Sequence, residues 1–204
     1  DGEATNTAGK TIEIYDRNNA AGSSLSVGML AKADVGKTAT IKNAGNLNVN
    51  GEAVGMNIDD NSTGSNSGTI TAKQNGTLKA IATYINGANA KFTNSGTISA
   101  DDIALALKNT TATKVTNTGT LKLTKTGAVG VYANDSIVDF NIAPTVETGA
   151  DETVALFATG NTKIKSQITS AVGKSHIGVY AEGNAEFQSG SKVIVGNGIG
   201  NDYG

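Results

Sequence analysis

The sequence has no cysteine, no tryptophan, one proline, one arginine and one histidine. Aromatic residues make up 4% of the 204, and no apolar run approaches the roughly 20 residues of a membrane-spanning helix. Without cysteine there is no disulfide framework, no thiolate nucleophile and no cysteine-held metal. A cysteine-free chain also suits export in the unfolded state through a narrow pore, where a premature disulfide would block passage. The net charge is −2, Arg17 stands alone and the lysines are scattered along the chain. No basic stripe marks a nucleic-acid or anionic-membrane surface. So few large side chains cannot fill a wide globular core.

The chain has 26 glycines and is rich in Asn, Thr, Ser and Ala, with short β-branched stretches between turn signals. One unit, NTGTLKLTKTGAVGVYANDSIVDFN at 117–141, holds three short strands and three turns with no helical period. Its opening returns as NAGNL at 43–47, NSGTI at 66–70 and NSGTI at 94–98. A middle strand recurs as SVGMLA, AVGMNI, AIATYI, DIALAL, AVGVYA, TVALFA and HIGVYA. A third strand ends at Ile41, Phe92, Val115, Phe140, Ile164 and Phe187, and between Ile41 and Phe92 one coil lacks it. Such a unit cannot bury its apolar face alone and must stack on copies of itself. The pattern therefore predicts an all-β β-solenoid of about seven coils of 22–28 residues, three short strands each, as one unit spanning 1–204. At about 4.8 Å per coil the rod is roughly 35 Å long. Ser- and Asn-rich, weakly charged composition also fits disorder, but the apolar residues are too periodic for that.

Strict alternation along the middle strand puts Val54, Met56, Ile58 and their counterparts Ile81, Thr83, Ile85, Ile103, Leu105 and Leu107 on the inner face. The outer face then carries the small residues Gly55, Ala82, Ala104, Gly130, Ala155 and Gly178, followed by Asn57, Tyr84, Ala106, Tyr132, Phe157 and Tyr180. Asn43, Asn66, Asn94 and Asn117 are placed to stack as an amide ladder from coil to coil. Asn-Gly pairs at 50–51, 75–76, 86–87 and 197–198 are turn signals.

Candidate chemistry is sparse. AKADVGKT at 31–38 approximates a phosphate loop, but it leads into the strand ATI rather than a helix, so a plain turn is expected. His176 precedes the HIGVYA strand and is expected at the surface, without triad or metal partners. The carboxylates Asp59-Asp60 and Asp101-Asp102 fall at different corners, and these and Asp151-Glu152 read as turn residues. Neither a catalytic group nor a metal site nor a cofactor is expected. The candidate ligand-binding residues are Tyr84, Tyr132, Phe157 and Tyr180, outward rings able to stack on sugars or grip a protein, or simply to pack on one another. Loops at 16–24, 57–65 and 147–152 are further candidates.

NSGTI turns alternating with GVYA strands over 11–195 resemble the passenger domains of type V autotransporters, above all the very large outer-membrane adhesins of Fusobacterium-like bacteria. The resemblance implies a right-handed parallel β-helix projecting from the bacterial surface. It also implies adhesion to a host-cell glycan or protein receptor, or to a partner bacterium. Membrane attachment would come through a barrel domain outside this sequence, read here as a piece of a longer protein. A monomer is expected, with neighbouring coils of the parent capping its ends. The alternatives are a β-helix enzyme acting on polysaccharide and a passive spacer within a larger adhesin.

Overall fold

The structure, a computed structural model, describes residues 1–15, 25–171 and 175–196. The loop at 16–24 and the Asn197-Gly198 turn lie outside the described residues. Among the described residues there is no helix, and the sheets are built from parallel strands. The chain winds as a β-solenoid of about seven coils; the earlier coils pass through three sheets in turn, and a separate two-stranded sheet pairs Gln167–Thr169 with Lys192–Ile194 near the end.

The first sheet stacks Gly2–Asn6, Ala39–Asn43, Ser62–Asn66, Lys91–Asn94 and Val115–Asn117. The second stacks Thr11–Tyr15, Asn46–Asn50, Thr69–Lys73, Thr97–Ala100, Thr120–Leu123 and Thr145–Val146. The third holds the seven middle strands: Ser26–Ala31, Ala53–Ile58, Ile81–Asn86, Ile103–Lys108, Val129–Asn134, Val154–Ile164 and Ile177–Phe187. The short Ile137–Val138 joins this third sheet at one end. Between the sheets runs one continuous apolar core of Ile, Leu, Val, Ala and Met, with Phe92 as its largest fully buried side chain.

The coils are tied at the corner between the first and second sheets. Asn6 Nδ2 donates to Asn43 Oδ1 at 2.8 Å, Asn43 to Asn66 at 2.7 Å, Asn66 to Asn94 at 2.7 Å, and Asn94 to Asn117 at 2.7 Å. The amide ladder thus has five rungs. The added one, Asn6, hides behind a turn two residues longer than the others. Asn6, Asn43, Asn66 and Asn94 are buried, where an unpaired amide would be costly. Beside the ladder stand Gly45, Gly68, Gly96 and Gly119. A Cβ on Gly68 would collide with the carbonyl of Gly45, one on Gly96 with Gly68, and one on Gly119 with Gly96. These glycines serve close approach. The left-handed backbone belongs to Asn-Gly turns such as Gly51, at φ 80°.

Four expectations need correction. The coil lacking a third strand does have one, Ser62–Asn66, in a segment that reads as polar loop. Gly64 occupies the position held by Ile41 below and Phe92 above. A Cβ there would run into the side chains of Ile58 and Phe92, which fill the space. Strict alternation also fails along the third sheet. Ladder partners join Ile103 to Val129 and Leu105 to Val131 but pass over Ala104 and Gly130, and the other coils repeat this skip. It amounts to a β-bulge carried in register through the stack. Ala82 and Ala104 are therefore fully buried, and a Cβ on Gly55 would point at Val49 and Ile70 of the core. Ile81, Ile103, Val129 and Ile177 turn half outward instead.

The remaining two corrections fall late in the chain. Val138, not Phe140, pairs with Ile164. Val154–Ile164 and Ile177–Phe187 each run 11 residues without a break, so middle and third strands fuse there, turning at Gly160 (φ 62°) and Gly183 (φ 121°). The coil before them, around the buried Pro144, has two-residue strands at Ile137–Val138 and Thr145–Val146.

Asn66→Ala removes the acceptor of Asn43 Nδ2 and the donor to Asn94 Oδ1, both buried, so the urea midpoint should fall by the equivalent of about 3 kcal/mol. Thr83 is fully buried in the core, and its hydroxyl has no hydrogen-bond partner among the described residues. Thr83→Val keeps the shape and removes the orphaned hydroxyl, so the same measurement should show a gain of about 1 kcal/mol.

Candidate functional site

The bulge gives the third sheet two outward columns. One runs Val27, Val54, Ile81, Ile103, Val129, Val154, Ile177. The other runs Leu30, Asn57, Tyr84, Ala106, Tyr132, Phe157, Tyr180. Because coils repeat at about 4.8 Å, rings on successive coils must meet face to face. Tyr132 and Phe157 stack with centroids 5.4 Å apart and planes inclined 16°. Phe157 and Tyr180 stack at 4.9 Å and 28°. Each such pair contributes about 0.5–1.5 kcal/mol beyond its buried area. Tyr180 stays 42% exposed, and Tyr132 and Phe157 are half-buried.

The four candidate rings therefore divide. Tyr132, Phe157 and Tyr180 form one stack. Tyr84 stands two coils from Tyr132, with Ala106 in the register position between them. Thr159 on the next coil donates its hydroxyl to Tyr132 Oη at 3.3 Å. Burial, then Asp59, then Tyr132 push the Tyr84 phenol above its ordinary pKa.

Beside the stack lies a shallow recess of about 200 Å³, bounded by Lys79, Asp102, Ile103, Gly127, Val129, Tyr132 and Phe157. Its floor is the outward aliphatic column, which strict alternation would have hidden in the core. Lys79 comes from the excursion after Lys73 that lengthens this coil. Asp101 and Asp102 hold that excursion down. Asp101 Oδ2 accepts the Gln74 N–H at 3.1 Å and its Oδ1 accepts Thr124 Oγ1 at 2.6 Å. Asp102, 7% exposed, accepts the Ala80 N–H at 2.9 Å and the Gln74 side-chain amide. Asp60 likewise takes the Asn89 N–H at 2.7 Å, and Asp135 the Asn161 N–H at 2.9 Å. These carboxylates act as backbone anchors at corners. The recess itself offers ring edges, aliphatic side chains and one ammonium group, which is chemistry for reversible contact with a sugar or an amphipathic side chain.

The other candidates fall elsewhere. His176 is buried rather than exposed, with Nδ1 2.9 Å from Thr153 Oγ1. It belongs to the column Ala53, Ala80, Asp102, Ala128, Thr153, His176, each the residue directly before Val54 or its ladder counterpart in the third sheet, and all of them are buried. The segment 31–38 is a turn closed by the Lys37 N–H to the Asp34 carbonyl at 3.0 Å, and the strand Ala39–Asn43 follows it. Residues 147–152 also turn tightly, with the Ala150 N–H on the Glu147 carbonyl at 3.0 Å. Among the described residues no three of His, Cys, Asp and Glu gather as a metal site, and no helix is long and apolar enough to cross a membrane.

Since burial favours the neutral phenol of Tyr84, the folded state should lose stability as pH climbs from the ordinary phenol range of about 10 through the raised value. That loss should shrink in Tyr84→Phe when melting is followed across alkaline pH. Compared with known protein families, with curated proteins and with solved structures, the chain matches none.

Proposed function

We propose that this chain is a non-enzymatic rod segment of a bacterial surface adhesin of the autotransporter passenger type, held outside the cell and anchored to the outer membrane through the rest of its parent. Its task is attachment to a glycan or protein receptor on a host cell or on another bacterium. The observation that carries this reading is the stack Tyr132–Phe157–Tyr180, open to solvent along its edges and bordered by the recess at Ile103 and Val129. Three rings ordered by the coil repeat lose little conformational freedom when a ligand arrives, and that preorganisation favours binding. Tyrosine suits such a surface because it joins an apolar ring to a polar tip. Support for binding over catalysis comes from the carboxylates, which the backbone already engages at Asp60, Asp101, Asp102 and Asp135. The parallel ladders supply the stiffness that a projecting stalk requires.

The test is binding of the folded protein to a broad glycan array and to epithelial cells, beside a Tyr132→Ala/Tyr180→Ala variant. The expected result is saturable binding that drops about tenfold or more in the variant, a loss of roughly 1.4 kcal/mol, while circular dichroism is unchanged. Equal binding by both proteins would remove the ring stack from the recognition surface.

A further inference from the structure

Three lysines that are far apart in sequence meet on the surface of the rod. Lys37, Lys91 and Lys114 line a groove of about 560 Å³ where the third sheet gives way to the first, together with Thr38, Thr63 and Asn89. No acidic residue lines it. Its volume falls within the range of about 300–1,000 Å³ common for small-ligand sites.

The charges in this groove are unbalanced. Phe92 pairs with Val115 and its N–H bonds to the Lys114 carbonyl at 2.9 Å, which sets Lys91 beside Lys114, the residue just before the strand Val115–Asn117. Like charges placed so are destabilising. The ion pairs among the described residues, Lys42 with Glu3 and Lys122 with Glu147, lie elsewhere. Three carboxylates come near the rim, and each is engaged by its backbone. Asp1 accepts the Thr38 N–H at 2.9 Å and its hydroxyl at 3.1 Å, Asp60 accepts the Asn89 N–H at 2.7 Å, and Asp139 accepts the Thr113 N–H at 2.6 Å, beside Lys114. Among the described residues none of the three ammonium groups makes an ion pair. In the same column, one and two coils before Lys91, stand Thr63 and Thr40. Hydroxyl groups and then ammonium groups follow one another along the rod axis.

We infer that this groove binds a strand of anionic polysaccharide lying along the axis, its sulfate or carboxylate groups meeting Lys37, Lys91 and Lys114 and its hydroxyls bonding to the threonines and Asn89. A sugar chain fits better than duplex nucleic acid. The positive patch is narrow, the chain as a whole carries −2, and the groove offers no ring for base stacking. The site lies on a different face from the Tyr132–Phe157–Tyr180 stack and stands or falls without it.

The test uses four probes against the folded protein, at low and at physiological ionic strength: a sulfated hexasaccharide, a polyuronate hexasaccharide, a neutral glucose hexasaccharide and a short DNA duplex. One or both anionic sugars should bind, more weakly as salt rises, and the neutral sugar should not. Sulfated against carboxylated binding identifies the anionic group that the groove prefers. Lys91→Gln/Lys114→Gln should weaken binding about tenfold, Lys91→Arg/Lys114→Arg should retain it, and Lys165→Gln, at an exposed lysine outside the groove, should leave it unchanged. The glutamine variant should melt at or above the parent temperature, because a like-charge contact is relieved. Failure of both anionic sugars to bind would overturn the proposal, as would unchanged binding by the glutamine variant or equal affinity for the duplex. A lowered melting temperature in the glutamine variant would assign the lysines a structural role instead.

Discussion

Each coil stands about 4.8 Å from the next, the distance of one backbone hydrogen bond across parallel strands, and everything else in this molecule is fitted to that spacing. It brings the turn glycines so close that any side chain at Gly68, Gly96 or Gly119 would strike the carbonyl beneath. It also lets one asparagine amide reach the next through the buried corner. The same spacing brings the rings of Tyr132, Phe157 and Tyr180 into stacking distance and sets Lys91 beside Lys114. The core needs only modest aliphatic side chains, because the enclosed space is narrow. That is how a chain with 4% aromatic residues and no cysteine can bury a continuous apolar interior.

The surface follows from the interior. The in-register bulge turns Ile81, Ile103 and Val129 half outward and sends Ala82 and Ala104 inward. The inward bulge position holds Gly or Ala, and a Cβ on Gly55 would meet the Ala82 carbonyl of the next coil first and then Val49 and Ile70 of the second sheet. The aliphatic border of the ring stack is thus a by-product of how the core is closed. Corner carboxylates do related work, fixing the excursion that carries Lys79 to the edge of the recess.

The repeat was readable in the sequence wherever the same chemistry recurs in every coil. All seven middle strands and four of the five ladder asparagines could be named from NSGTI-like turns and GVYA-like strands. Tyr84, Tyr132, Phe157 and Tyr180 could be placed in one outward column, but the four were read as a single set, and the separation of Tyr84 by Ala106 emerged only from the coil-to-coil register. Reading failed where a position is filled by a neighbouring coil. Gly64 looks like loop because Phe92 and Ile58 supply the bulk that it lacks. His176 looks exposed because alternation does not reveal that the corner turns inward, where Thr153 meets its ring. The lysines looked scattered because the winding that gathers them is invisible in the linear order.

The uneven strand lengths late in the rod have a mechanical consequence. A pull along the axis loads the ladders in series and opens each from one end, so a coil yields according to the length of its pairing. Val154–Ile164 and Ile177–Phe187 are paired over ten positions, whereas Thr145–Val146 and Ile137–Val138 hold their neighbours over two each. With the five positions that join Val129–Asn134 to Val154–Ile164, the boundary at Pro144 is held over nine, against fifteen between the first two coils. Under axial tension the rod therefore parts more readily here than between its early coils, and parting at this boundary would separate Tyr132 from Phe157 while Phe157 and Tyr180 remain laddered together.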